Sequence, residues 1–303
     1  MSMTPTQLAQ LHHAGRLLAQ GANQAAVQEL QTLYEQTDDF AVNRELTRAL
    51  LAVEQYGTAL TIANEQRAAY LTSADLQEQL LTIELANHGF IRARQLAWQL
   101  PTPRQGVAQA QIAATEATLK TRAPQTLHTR LQHFYHLGDG GLLTQQRRFA
   151  EALRLPLAEF IQGSRFVLRD PFVKPLVKST VVQSLVQLKV DQELTMLWLD
   201  DHEYPFTPAA CLPLEAMPVV QVGYAELAKR FANSDPLTYQ ARLQTFNLHL
   251  ALLYPFVDKA MIDPGRWIDE MSQPHQGPAA TSTEKMIRCW QRRLNAQLAQ
   301  LGL

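Results

Sequence analysis

The chain is poor in cysteine: Cys211 and Cys289 are its only two, and neither belongs to a Cys-x-x-Cys or Cys/His spacing. That excludes a disulfide framework or a structural zinc site as the organising device, and each cysteine is expected as a free, at least half-buried thiol. Long apolar runs are also missing, and Met1 to Gln10 has neither a basic nor an apolar leader segment. The sequence therefore predicts no membrane span, no signal peptide and a cytoplasmic location. The phosphate loop GxxxxGK[ST], a GxGxxG after a strand, the GxSxG elbow and HExxH are absent too, so no enzyme class and no cofactor is suggested. Charged residues make up only 18% of 303 residues against 46% hydrophobic, which excludes a disordered chain.

What is there is an internal echo. Leu17, Leu51 and Leu85 stand 34 residues apart, as do Ala25, Ala59 and Ala93, with Ala22, Tyr56 and Phe90 three residues before each alanine. Such a period is that of a helical hairpin. Gly21, Gln55 and Gly89 fall where each hairpin turns. In the second hairpin Leu46, Leu50 and Leu51 mark one helix and Ala59, Leu60 and Ala63 the next; in the third, Leu76, Leu80, Leu81, Ile83 and Leu85 precede Phe90, Ala93, Leu96, Ala97 and Leu100, ended by Pro101 and Pro103. The alanines are expected where helices cross closely, and the aromatics between adjacent hairpins.

Leu46, Leu50, Tyr56 and Ala59, and then Leu80, Phe90, Ala93, Ala97 and Pro101, resemble the tetratricopeptide repeat, although its early tryptophan and its glycine on the first helix are missing. The first repeat matches one residue out of phase, through Ala14, Leu17, Gly21, Ala26 and Leu30. The resemblance covers about a third of the chain and implies a right-handed α-solenoid.

Weaker hairpins are expected between Gln105 and Pro156, interrupted by a helix stop at Gly138-Asp139-Gly140-Gly141. Asp170-Pro171 reads as a helix start, followed by the apolar stripe Val173, Val177, Val181, Leu185 and Leu188. The period then changes: Leu194 to Leu199, the polar turn Asp200-Asp201-His202-Glu203 and Tyr204 to Thr207 read as a β hairpin, with Pro205 and Pro208 confining the second strand to an edge. Helices follow around 222–232, 236–253 and 266–273, and a last one opens with the capping-box pattern Thr281-x-x-Glu284 and shows Ile287, Trp290, Leu294, Leu298 and Leu301 on one face. This order resembles the C-terminal half of some cytoplasmic bacterial tetratricopeptide-repeat proteins of unassigned function. The expected fold is mostly α, a solenoid of three repeats over 1–103, degenerate hairpins over 104–170, and over 171–303 a helical C-terminal module with the small β hairpin inserted.

Candidate sites are few. His133 and His136, with His128 and Asp139 near, can be drawn as a metal site, but His128 is off their face and no cysteine joins them, so no metal is expected. The acidic turn at 200–203 reads as solvated. The net charge of −1 is uneven: residues 104–190 are basic by +7, between flanks of −4 each. Within the basic part, Arg147 and Arg148 are adjacent, while Arg165 with Arg169 and Lys174 with Lys178 are four apart, as for an anion-binding face. Phe166 and Phe172 are expected in the core.

The leading expectation is a non-enzymatic adaptor that grips a peptide or partner protein in the solenoid groove. The resemblance places Arg44, Arg48, Asp75 and Glu78 on that groove. The alternatives are a nucleic-acid-associated protein using 147–178, which is disfavoured because the acidic flanks can neutralise those cations within the chain, and an enzyme of unknown class in the C-terminal half.

Overall fold

The computed structural model describes residues 3–232, 236–273, 279 and 281–301. Helices make up 74% of the described residues, and one small antiparallel hairpin is the only sheet among them. The helices are α1 (Pro5–Ala19), α2 (Asn23–Tyr34), α3 (Phe40–Ala52), α4 (Tyr56–Glu65), α5 (Arg67–Tyr70), α6 (Ala74–Ala86), α7 (Phe90–Ala97), α8 (Thr102–Arg122), α9 (Pro124–Tyr135), α10 (Leu142–Ala152), α11 (Leu157–Val167) and α12 (Pro175–Gln187). After strands β1 (Leu194–Leu197) and β2 (Glu203–Phe206) come α13 (Pro218–Phe231), α14 (Pro236–Leu253), α15 (Val257–Ala260), α16 (Pro264–Ser272) and α17 (Ser282–Leu301). Among the described residues, no helix is long and apolar enough to cross a membrane. The chain divides into two compact units, Met1–Thr129 with Leu153–Leu157, and Arg130–Ala152 with Ala158–Leu303.

In the first unit each helix packs on its neighbours in sequence, as a helical-repeat arrangement requires. The echo is a repeated turn. Gly21, Glu54 and His88 take positive φ of 77°, 58° and 58°, and the amides of Ala22, Gln55 and Gly89 bond back five residues to the carbonyls of Leu17, Leu50 and Glu84. A left-handed residue closing the helix in this way satisfies carbonyls that would otherwise be orphaned. The turns are 33 and then 34 residues apart, so the first hairpin is one residue short. Ala25 is consequently exposed and Ala26 buried, whereas Ala59 and Ala93 are fully buried. Phe90 is fully buried, but Tyr56 remains exposed.

Side-chain caps start three of these helices: Thr4, Asp39 and Ser73 accept from the amides of Gln7, Ala41 and Leu76. A polar network also sits inside the unit. Asn43 donates to the Ile62 carbonyl at 2.7 Å, Tyr70 Oη donates to Asn43 Oδ1 at 2.9 Å, and Thr47 Oγ1 lies 2.9 Å from Tyr70 Oη and donates to the Arg44 carbonyl. Arg94 of α7 grips Glu116 of α8 with two bonds of 3.0 and 2.8 Å, and Glu116 also accepts from the Leu157 amide.

In the second unit α12 is apolar on more than one face: Val177, Val181, Val182, Leu185 and Val186 are all buried. It begins at Pro175, not at Pro171 as the sequence suggests, because Asp170 accepts from the Phe172 amide in a tight turn and Gln145 holds the Lys174 amide at 2.8 Å. The hairpin pairs Leu194 with Phe206 and Leu197 with Glu203. Behind it Trp198, Tyr204, Phe206, Phe256 and Trp290 form a connected aromatic cluster. Gly223 of α13 lies against the Phe246 ring of α14 so closely that a Cβ would meet it at 2.4 Å. Thr281 accepts from the Glu284 amide at the start of α17, while the Glu284 carboxylate pairs with Arg266 at 3.1 Å. Ile287, Leu294 and Leu298 are buried; the Leu301 side chain lies outside the described residues.

Candidate functional site

Helices α1 and α3 lie side by side, and their polar edges line a cleft of about 660 Å³. Leu11, Gly15 and Leu18 contribute from α1 together with His12 and Arg16; Arg44, Glu45 and Arg48 contribute from α3. Glu45 pairs with both of its neighbours, at 3.1 Å from Arg44 and 2.8 Å from Arg48. One carboxylate thus serves two guanidinium groups, and Arg16 is exposed on the same cleft without an ion-pair partner among the described residues. The lining carries more positive charge than it neutralises. Space is available as well, since nothing lies within 4 Å of where a Gly15 Cβ would stand.

Asp75 and Glu78, expected on the same surface, are on α6 and line no part of this cleft. Both face Arg104 of α8, at 2.6 and 3.4 Å, so two carboxylates share one guanidinium there. Arg16 and His12 escaped the sequence reading because the first repeat is out of phase, so the alignment placed no groove positions on α1.

The basic segment does not form one stripe. Arg148 donates to the carbonyls of His136 and Asp139, Arg165 to Gln192 Oε1 at 2.9 Å, and Arg169 makes a two-pronged pair with Glu203 that raises its already high pKa. Arg165 lies in the last turn of α11 while Arg169 lies beyond its end, and Lys174 precedes α12 while Lys178 lies inside, so neither pair shares a helix face as spacing alone suggests. Arg147 and Lys174 have no side-chain partner among the described residues. Phe166 and Phe172 are 59% and 75% exposed, contrary to the expectation of core positions. The acidic turn is not uniformly solvated either: Asp200 is half-buried and accepts from Tyr204 Oη at 2.7 Å.

Lys178 is the exception among these cations, because only 4% of it is exposed. Its ammonium donates to the Leu197 carbonyl at 3.0 Å, and burial pushes its pKa down to about 8, a shift that the charge of Asp170 partly offsets. Its burial has a sequence signal. A helix apolar on several faces is enclosed on several faces, so a lysine between Val177 and Val181 has few routes to water. No family model matches the chain, and no curated protein or solved structure matches it.

Proposed function

We propose that this protein is a non-enzymatic scaffold whose N-terminal unit binds an acidic peptide segment of a partner protein in the α1–α3 cleft. The observation that carries this reading is the charge of the lining: Arg16, Arg44 and Arg48 stand around one carboxylate, Glu45. Guanidinium groups are planar donors suited to carboxylates, and an excess of them on a concave surface favours acidic ligands and speeds their encounter. In this reading the first unit is a right-handed tetratricopeptide-like solenoid in the bacterial cytoplasm, and its peptide groove is centred on α1 and α3.

The test is fluorescence anisotropy with a labelled glutamate-rich peptide and a matched peptide in which glutamine replaces every glutamate. The acidic peptide should bind more tightly, with an affinity that falls as salt rises. Arg44→Glu with Arg48→Glu should weaken it by roughly tenfold or more without loss of helicity. Equal binding of both peptides, or an unchanged affinity in the double variant, would sink the proposal.

A further inference from the structure

A second cavity, of about 240 Å³, lies within the C-terminal unit at the start of α12. Phe172, Val173, Met196, Trp198 and Leu252 form its apolar side, and Lys174, Lys178, Asp201, Gln297 and Gln300 supply the polar remainder of the lining. Buried cations are ordinarily paired with a carboxylate, because desolvation otherwise opposes the charge. Lys178 has no such pair: among the described residues its one hydrogen bond goes to the Leu197 carbonyl, and Asp170 acts on it electrostatically without reaching ion-pair distance. Two of its three N–H groups remain for a ligand.

The surroundings favour a single negative charge. Lys174 also lines the cavity, Asp201 is the one carboxylate on the lining, and the positive end of the 13-residue α12 starts there at Pro175. On the lining two lysines face one aspartate, and the charge of Asp170 also reaches Lys178, so there is room for no more than one further negative charge, which suits a monoanion better than a phosphate dianion. The volume lies below the roughly 300–1,000 Å³ typical of drug-sized sites, so the occupant is small. We propose that this cavity binds a small carboxylic acid with an apolar body: the carboxylate meets the Lys178 ammonium, and the body packs against Met196, Trp198 and Leu252. This site is independent of the peptide cleft, and either can fail without the other.

The experiment is titration calorimetry on the full chain with sodium benzoate, and with benzamide and inorganic phosphate as comparison ligands. Benzoate should bind saturably, benzamide should not, and phosphate should bind more weakly than benzoate. Lys178→Met, which keeps the side chain's length and removes its charge, should lower benzoate affinity by roughly 10- to 100-fold; Lys174→Met should lower it less. Should Lys178→Met fail to fold, the Trp198 indole resonance of the wild-type protein decides, since benzoate must shift it to saturation and benzamide must not. Absence of benzoate binding at millimolar concentration, undiminished binding by Lys178→Met, or an unmoved Trp198 resonance would each overturn the assignment, as would tighter binding of phosphate.

Discussion

Glu54 and Gly21 hold the same place in successive turns, yet only glycine takes a positive φ without steric cost. An L side chain in the left-handed region costs about 1–2 kcal/mol, and Glu54 is exposed, with no side-chain hydrogen bond or ion pair among the described residues to repay it. Glu54→Gly should therefore stabilise the protein by about 0.5–1 kcal/mol, seen as a higher urea midpoint at unchanged slope. A lower midpoint would show that the glutamate makes a compensating interaction. Gly89 presents the opposite case, because its φ is ordinary and the constraint is space. A Cβ there would stand 2.4 Å from the carboxylate of Glu84, which is itself buried and paired with Arg67 at 2.8 Å. Gly89→Ala should cost about 1–3 kcal/mol, provided the carboxylate must move and loosen that pair; a neutral substitution would mean that Glu84 rotates away freely. A glycine in the sequence does not reveal which of these two reasons holds it.

At the scale of elements, helix pairing in the first unit was readable, and so was the one-residue slip of the first repeat through Ala26, although the strict 34-residue echo points to Ala25. The 34-residue period correctly marks Ala59 and Ala93 as buried positions, while a one-residue shortening moves the first hairpin from Ala25 to Ala26. A period is a statement about packing faces, and a single residue turns a helix by about 100°, enough to exchange a buried position for an exposed one. Ala59 and Ala63 are both fully buried on α4. Ala59→Leu should overpack that helix crossing and destabilise by about 1–3 kcal/mol, measurable as a lower thermal midpoint. An unchanged midpoint would mean that the crossing has room to spare. In the second unit the β hairpin was legible from its change of period, and its polar turn, β1 and the edge position of Pro205 follow the pattern. The start of α12 was not, since Asp170-Pro171 imitates a helix start that the distant Gln145 displaces by four residues through its bond to Lys174.

Across the whole molecule, candidate cations were visible in the sequence, but their partners were not, because partners come from tertiary packing. Arg44 and Arg48 share Glu45, which is local and readable at helical spacing; Arg169 meets Glu203, and Asp75 meets Arg104, across separations that no local pattern encodes. The same limit hides a pH-sensitive group in the core. His249 of α14 is 1% exposed, packs edge-on against the Trp267 ring of α16, and makes no well-formed hydrogen bond through either ring nitrogen. Burial lowers its pKa from 6.5 to about 4, with Asn295 offsetting part of that shift. The unfolded chain therefore binds the proton first as pH falls: stability is intact above pH 6.5 and is lost progressively towards pH 4. Between pH 7 and pH 5 this one residue should remove about 2 kcal/mol of unfolding free energy. His249→Leu removes the titration, so its urea midpoint should fall less over that interval than the wild-type midpoint, whatever its absolute stability. Parallel falls in the two proteins would mean that His249 takes up its proton in the folded state at an ordinary pKa, and that the α14–α16 core admits water.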